Sequence, residues 1–259
     1  METGIENVIQ RLFPDSLADT SDFEDWCSTI RQDAQPGAAD FVALLKDRLD
    51  HEIAECRKLG GLGRDYWELF GGEGDKAIKS ASSIRSKLAR DLMGENISAH
   101  SKTEDFLRRK ILAFSDLGRA RIITDFPSDI THLREKLFAG GKFLGEFNCP
   151  KGFKDFVFDP SKRDGLKGHR AIQFSAQVPI DDTTCFGFEV QFMTRLQHAW
   201  DRRNHPLYEW QREKPDWISD QKAVELAVDD FACAEALHLV DRQADHNWQR
   251  LQNLIGKKQ

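Results

Sequence analysis

The stretch FGFEVQFMTRLQHAW, residues 186–200, decides the fold because it joins a strand directly to a helix. Its apolar residues alternate and predict the buried face of a β-strand at Phe188, Val190 and Phe192. The residues between them, Glu189 and Gln191, then share the opposite face of that strand. A carboxylate and an amide on a strand otherwise typical of a sheet interior indicate either a solvated second face or the lining of an active site.

The composition is typical of a soluble globular protein. Of the 259 residues, 40% are hydrophobic and 31% are charged. No apolar run approaches the roughly 18 residues of a membrane-spanning helix. The N-terminus carries Glu2 and Glu6 where a secretory signal has basic residues followed by an apolar segment. The five cysteines form no CxxC pair, which is typical of reduced thiols, and we therefore predict a cytoplasmic protein with no membrane association.

Basic residues are concentrated in two short segments, although the net charge is −6. The segments contain Lys76, Lys79, Arg85, Lys87 and Arg90 in the first, and Lys151, Lys154, Lys162, Arg163, Lys167 and Arg170 in the second. An acidic chain argues against a broad electrostatic surface for nucleic acid. Local basic clusters suit a small polyphosphate ligand, and a solvated helix or loop face is the alternative for either cluster alone.

The pattern of segments predicts an α+β fold, in which a mixed or antiparallel sheet of about five strands is flanked by helices. Strands are predicted in RARIITDF (119–126), FKDFVF (153–158), RAIQFSAQV (170–178) and FGFEVQF (186–192). Helices are predicted from about Ala38 to Leu59, in 83–93, in 128–138, after Thr194 and in about 219–254. We predict one domain at 38–215, with an N-terminal extension at 1–37 and a C-terminal helical extension at 216–259.

Several short motifs occur in one order along the chain and together resemble the RelA/SpoT-type alarmone synthetases. They are Lys79-x-x-x-Ser83-Ile84-x-x-Lys87, Asp116 with Arg121, Lys154-Asp155-Phe156, GHRAIQ at 168–173, Glu189-x-Gln191-x-x-Thr194, and Gln197 to Trp200 followed by His205 and Tyr208. Each motif alone is weak, but their order over residues 40–210 is specific. The resemblance is to the small, synthetase-only form, with a nucleotidyltransferase-like synthetase domain.

The resemblance implies transfer of the β,γ-pyrophosphate of ATP to the 3′-hydroxyl of GDP or GTP, which makes ppGpp or pppGpp. Such a reaction needs Mg²⁺ and a hard oxygen ligand for it, because ATP carries about four negative charges. The resemblance assigns the metal to Asp116 and Glu189, and catalysis to these two residues and Gln191. Glu189 acts as a base, a metal ligand or both. Gln191 holds the acceptor sugar or orients Glu189.

The same resemblance assigns the two nucleotides to separate sets of side chains. The residues predicted to bind ATP and its phosphates are Lys79, Ser83, Lys87, Arg90 and Arg121, because ammonium and guanidinium groups suit a triphosphate. The residues predicted to bind the acceptor nucleotide are Lys154, Lys162, Lys167, His169 and Gln173. The alternative for Arg90 is a solvated helix face.

Three departures from the family pattern affect the choice of nucleotides. Ala77 stands where the family has an arginine that stacks on adenine, His169 stands for the tyrosine that stacks on guanine, and Gln173 stands for a histidine. Imidazole stacks on a base with less area than phenol. Three alternatives therefore stay open: the same transfer to an adenine nucleotide or to the 3′ end of tRNA, a non-catalytic nucleotide-binding module, and a nucleotidyltransferase that releases pyrophosphate.

The predicted C-terminal helix carries an apolar stripe. Its members are Phe231, Leu237, Val240, Trp248 and Leu251. The stripe predicts either a homo-oligomer contact or packing of the helix on its own sheet.

Overall fold

The computed structural model describes residues 9, 11–58, 67–70, 77–94, 103–159, 169–212 and 220–256. It is an α+β structure, as predicted. The helices are α1 (Thr20–Lys58), α2 (Ala81–Gly94), α3 (Glu104–Leu112), α4 (Pro127–Leu137), α5 (Arg195–Arg212) and α6 (Asp220–Gly256), preceded by a single 3₁₀ turn at Asp15–Leu17. Within the described residues, none of these helices combines the length and apolarity needed to cross a membrane.

The strands form one large sheet and one small one. They are β1 (Trp67–Phe70), β2 (Gly118–Thr124), β3 (Phe138–Ala139), β4 (Lys142–Phe143), β5 (Phe147–Asn148), β6 (Phe153–Asp155), β7 (Ile172–Pro179) and β8 (Cys185–Thr194). The large sheet has five strands in the order β1-β2-β8-β7-β6, which confirms the predicted number. The pairs β1–β2 and β6–β7 are antiparallel. The small sheet, β3-β4-β5, is a meander of two-residue strands that lies outside the prediction.

Helix α1 begins at Thr20, so the prediction that it starts at about Ala38 was wrong. The AQPG segment does not end the helix, and Pro36 lies inside it. A continuous buried stripe explains the extra length, because residues at three- and four-residue spacing upstream of Pro36 are fully buried: Phe23, Cys27, Ile30 and Ala34. Tertiary burial along this stripe outweighs the backbone hydrogen bond that a proline removes.

The described contacts divide the chain into two units, whose residues are interleaved along the sequence. The first unit contains Met1–Leu44, Gly71–Ala120 and Ser175–Glu189. The second contains Leu45–Phe70, Arg121–Phe174 and Val190–Gln259. The predicted extensions at 1–37 and 216–259 stay a prediction.

The core of the first unit is aromatic and tightly packed. The rings of Phe41 and Phe188 lie 4.6 Å apart between centroids. Gly118 lets β2 approach this pair, because a Cβ there would lie 2.3 Å from Cδ2 of Phe188. Strand β2, which begins two residues after Asp116, is therefore packed closely against an aromatic core.

The core of the second unit contains a cluster of phenylalanines. Phe174 lies 5.0 Å from Phe138, 5.3 Å from Phe143 and 5.3 Å from Phe192, measured between ring centroids. The alternating apolar face predicted for β7 and β8 supplies two of these rings, Phe174 and Phe192, and both are buried.

Helix α6 packs in the second unit largely through polar side chains. Its buried residues include His238, Asp241 and Asp245. Ser128 at the start of α4 donates to Asp245 from its backbone N–H at 3.0 Å and from its Oγ at 2.6 Å. The predicted apolar stripe is split, since Trp248 stacks on Phe126 while Val240 is 55% exposed. The homo-oligomer contact of this helix stays a prediction.

Candidate functional site

In the first unit, two lysines converge on one carboxylate. The ammonium group of Lys79 lies 2.5 Å from Oδ2 of Asp116, and that of Lys87 contacts Oδ1 of the same residue. Lys87 also lies 4.6 Å above the ring of Phe114. We call Lys79, Lys87 and Asp116 the lysine–aspartate cluster. Its members are at most 37 residues apart in sequence, and the structure brings together what the motifs only placed in order.

Backbone hydrogen bonds fix the position of Lys79. Ile78 forms an isolated antiparallel bridge with Gly118. The N–H of Lys79 donates to the carbonyl of Leu117 at 2.9 Å, and the N–H of Arg119 donates to the carbonyl of Ala77 at 2.9 Å. The Lys79 side chain is thereby held beside the first residues of β2. Asp116 lies just before that strand.

The charges of the lysine–aspartate cluster leave a net positive site. Burial raises the pKa of Asp116, but the hydrogen bonds from Lys79 and Lys87 outweigh it and hold the pKa below its ordinary value. Asp116 is therefore ionised at neutral pH, and the three side chains carry a net charge of about +1. They are 14–23% exposed, which leaves the cluster accessible to a ligand and partly shielded from water. Such a site attracts a polyanion.

The start of α2 adds hydroxyl groups to the first unit. The Oγ of Ser80 accepts from the N–H of Ser83 at 3.3 Å and donates to its Oγ at 3.0 Å. Ser83 and Lys87 are four residues apart on α2 and share a face of the helix. Helix N-termini favour phosphate groups, but the predicted contact of Ser83 with ATP stays a prediction. Arg90 follows one turn after Lys87 and is half-buried, and its role stays a prediction.

Ala77 is fully buried. An arginine in its place would direct a guanidinium group into the core of the first unit. The stacking arginine that the family pattern has at this position is therefore replaced by a residue that contributes to packing and not to ligand contact.

Glu189 lies on the half-buried face of β8. The burial of this strand alternates as predicted, with Phe188 and Val190 buried and Glu189 and Gln191 partly exposed. Alternation places the two polar side chains on one face. Neither the catalytic role of Glu189 nor that of Gln191 is tested by this placement, and both stay predictions.

In the second unit, a chain of hydrogen bonds links five residues, with Asp201 at its centre. Arg121 donates from Nε to Oε1 of Gln191 at 3.0 Å and pairs through Nη1 with Oδ2 of Asp201 at 2.8 Å. The other carboxylate oxygen, Oδ1, lies 3.1 Å from Nδ1 of His169. Nε2 of His169 lies 2.9 Å from Nε2 of Gln173. We call these five residues the Asp201 network.

Sequence reasoning missed Asp201. The residue follows Trp200 on α5, and its only sequence signal is the four-residue helical spacing from the buried Gln197. The other members of the Asp201 network were all predicted site residues: Arg121, His169, Gln173 and Gln191.

The other three residues predicted to bind the acceptor are not members of the Asp201 network. Lys154 pairs with Gln173 across β6 and β7, so the two side chains share a face of the sheet, and Lys154 is exposed. Lys162 and Lys167 lie outside the described residues, as do the side chains of His205 and Tyr208.

The donor set of the first unit is compatible with Mg²⁺. No group of three or more histidine, cysteine or acidic side chains suitable for a metal ion occurs among the described residues. Mg²⁺ needs no such group, since it is commonly held by one or two carboxylates together with substrate phosphates and water. The ionised carboxylate of Asp116 supplies the required type of oxygen, beside cations that would hold phosphates.

The chain has the fold of the GTP pyrophosphokinase and small alarmone synthetase structures. A GTP pyrophosphokinase family protein from Streptococcus pneumoniae is 18% identical, with a TM-score of 0.58, over 85% of this chain and 93% of that one. Small alarmone synthetase 1 from Bacillus subtilis bound to its product pppGpp is 18% identical, with a TM-score of 0.51, over 80% of this chain and 92% of that one. The same synthetase bound to AMPCPP is 17% identical, with a TM-score of 0.50, over 84% and 94%.

These matches confirm the resemblance to the alarmone synthetases at the level of the fold. No protein-family model and no curated protein sequence matches the chain. The relationship is therefore visible in the arrangement of helices and strands rather than in overall sequence identity.

Proposed function

We propose that this protein is a nucleotide pyrophosphokinase, which transfers the β,γ-pyrophosphate of ATP to the 3′-hydroxyl of GDP or GTP. The observation that carries the proposal is the lysine–aspartate cluster, in which Lys79 and Lys87 flank an ionised Asp116. The shared fold supports it, because the structures of that fold include a GTP pyrophosphokinase family protein and a synthetase bound to pppGpp.

Binding of ATP changes the partners of the two lysines. In the protein alone, Lys79 and Lys87 neutralise Asp116. A triphosphate offers them stronger anionic partners, since phosphate oxygens carry more charge than one carboxylate. Their transfer to the phosphates leaves the oxygens of Asp116 available, and Asp116 with Glu189 would hold Mg²⁺. The metal supplies charge neutralisation to the pyrophosphate group.

The reaction is a displacement at the β-phosphorus of ATP. The 3′-hydroxyl oxygen of the acceptor forms a bond to that phosphorus, and the bond from the phosphorus to the α,β-bridging oxygen breaks. AMP leaves with the electron pair of the broken bond. A hydroxyl is a poor nucleophile until its proton is accepted, and Glu189 takes this proton in the proposed mechanism. Gln191, whose side-chain oxygen is held by Arg121, orients the acceptor ribose.

An adenine nucleotide is the second candidate acceptor. The observation that favours it is His169 at the predicted stacking position, with both ring nitrogens engaged by other side chains. A ring held in this way offers no imidazole hydrogen bond to tell guanine from adenine. The donor and the chemistry stay the same, and the acceptor alone differs.

Labelled ATP tests the proposal. The protein is incubated with Mg²⁺, α- or γ-³²P-labelled ATP and one of GDP, GTP, ADP or deacylated tRNA. We expect γ-label in the acceptor product and α-label in AMP. Entry of α-label into the acceptor with release of pyrophosphate would instead establish nucleotidyl transfer. Nucleotide binding without turnover of any acceptor would establish a non-catalytic module.

Two substitutions test the assigned residues. Asp116→Asn and Glu189→Gln should each reduce transfer by about 10²-fold or more, the usual contribution of a catalytic acid, base or charge-stabilising group. The exposed Asp182→Asn is the matched control and should leave transfer unchanged. Transfer within about threefold of the wild type in either test variant removes that residue from its role.

A further inference from the structure

His169 has both ring nitrogens engaged by side chains of the second unit. Nδ1 lies 3.1 Å from Oδ1 of Asp201, and Nε2 lies 2.9 Å from the amide nitrogen of Gln173. The ring of Phe156 approaches it edge-on, with 6.1 Å between centroids and an interplanar angle of 65°. The side chain remains 27% exposed. Since its nitrogens are engaged, the ring can offer a ligand only its π-faces.

The partners of His169 also decide where its proton lies. Asp201 is paired with the permanently charged guanidinium of Arg121, so its carboxylate offers only acceptors. Nδ1 must therefore carry the proton that it shares with Asp201. The amide nitrogen of Gln173 is a donor, so Nε2 must accept. The two contacts together select the neutral ring with its proton on Nδ1.

Asp201 holds two predicted site residues at once. Its Oδ2 pairs with Arg121, which in turn donates to Gln191 on β8, while its Oδ1 holds His169. The carboxylate is partly buried, with 16% of the side chain exposed. Removal of this one group therefore takes one partner from the imidazole ring and one from the guanidinium group that holds Gln191.

We propose that Asp201 is a positioning residue for the acceptor nucleotide, and that it holds His169 as an Nδ1-protonated ring that stacks on a purine without reading its edge. The assignment of His169 to the acceptor rests on the proposed function. The state of the ring rests only on the contacts of the Asp201 network. His169 therefore contributes equally to the binding of guanine and adenine nucleotides, and any preference between them comes from other residues.

Nuclear magnetic resonance of the full chain labelled with ¹⁵N-histidine tests the state of the ring without any substrate. Long-range ¹H–¹⁵N correlations distinguish a ring nitrogen that carries a proton from one that does not, and His169→Gln identifies the signal. We expect the proton on Nδ1 in the wild type and, in Asp201→Ala, a larger population with the proton on Nε2, because one of the two contacts that select Nδ1 is gone. Asp201→Asn keeps one acceptor oxygen and should retain part of the effect. A wild-type ring with its proton on Nε2 overturns the proposal.

Calorimetric titration with GDP and with ADP tests the role in binding. His169→Ala should weaken both nucleotides by about tenfold, the order expected for loss of one base–aromatic stack, and by the same factor. Asp201→Ala should weaken both by about fivefold, the net worth of one or two hydrogen bonds. Arg203→Ala, an exposed change on the same helix, is the control and should bind both as the wild type does.

The two tests separate failure of the inference from failure of the proposed function. Affinities in His169→Ala that fall by more than about fivefold for one purine and not for the other show edge recognition and overturn the inference. Affinities within twofold of the wild type in Asp201→Ala also overturn it. Tight binding of both purines without any pyrophosphate transfer overturns the proposed function and leaves the positioning role of Asp201 supported.

Discussion

Replacement of Asp241 by asparagine should stabilise the protein above pH 6. This carboxyl lies on α6, is 3% exposed and accepts from Oγ1 of Thr194 at 2.5 Å. Burial raises its pKa to about 6 from an ordinary value of 3.8, although the hydrogen bond from Thr194 lowers it and the nearby Asp245 raises it further. The folded protein therefore carries an ionised carboxylate at neutral pH in a place that favours the neutral acid.

The size of the effect follows from the pKa. Since a tenfold change in proton affinity corresponds to about 1.4 kcal/mol, ionising Asp241 costs about 3 kcal/mol more in the folded protein than in the unfolded chain. Asparagine avoids this cost and keeps an acceptor for Thr194. However, burying its amide hydrogens removes their hydrogen bonds to water, which costs about 1 kcal/mol. We expect a net gain of about 2 kcal/mol in the free energy of unfolding at pH 8.

The stability contributed by Asp241 should fall as the pH rises. A carboxyl whose folded pKa is raised stabilises the folded state below about pH 4, and that contribution is lost as the pH rises to about 6. Asp241→Asn should therefore be about 1 kcal/mol less stable than the wild type near pH 4 and about 2 kcal/mol more stable at pH 8, as measured by urea unfolding followed by circular dichroism. The exposed Asp229→Asn on the same helix is the control. An equal difference between variant and wild type at both pH values would refute the argument.

Three further substitutions test the packing and charge of the two units. Lys87→Met should raise the KM for ATP by about tenfold in the labelled-ATP assay, because one charge-assisted contact to phosphate is lost. Gly118→Ala should lower the free energy of unfolding by about 2 kcal/mol in urea titration, because its Cβ would lie 2.3 Å from a ring carbon of Phe188. Asp245→Ala should lower it by about 1–2 kcal/mol, because the N–H and Oγ of Ser128 lose their acceptor at the start of α4.

The regular parts of the fold were predictable because their patterns are local. The alternation at Phe188, Val190 and Phe192 identified the buried face of β8, and that face is fully buried. The start of α1 was not predictable in the same way. Its upstream stripe includes the small residues Cys27 and Ala34, whose burial depends on tertiary packing that no local pattern shows.

The short strands escaped prediction for a different reason. Strands β3, β4 and β5 have two residues each, too few for an alternating pattern. The chain reverses between β3 and β4 through Gly140 and Gly141, which have φ of +57° and +77°. These glycines are consistent with a turn, but they do not reveal which segments pair.

The candidate site was predictable only where a motif carried it. The resemblance named Lys79, Lys87 and Asp116 as separate elements, and the structure joins them through two ion pairs. Asp201 belongs to no motif in the resemblance. Its proposed role depends on a contact with His169 across 32 residues of sequence, and such a pairing becomes visible only in three dimensions.

In the proposed function, the choice of nucleotides must be made by residues outside the lysine–aspartate cluster. The triphosphates of ATP and GTP have the same charge and shape, so Lys79 and Lys87 in their proposed role would bind either equally. Ala77 is buried and offers no contact to a base. In the second unit, His169 has no ring nitrogen left to distinguish one purine edge from another. Stacking on this ring, as proposed, would explain affinity for a purine but not a preference between purines. A measured preference for guanine over adenine would therefore require a polar group beyond these four residues.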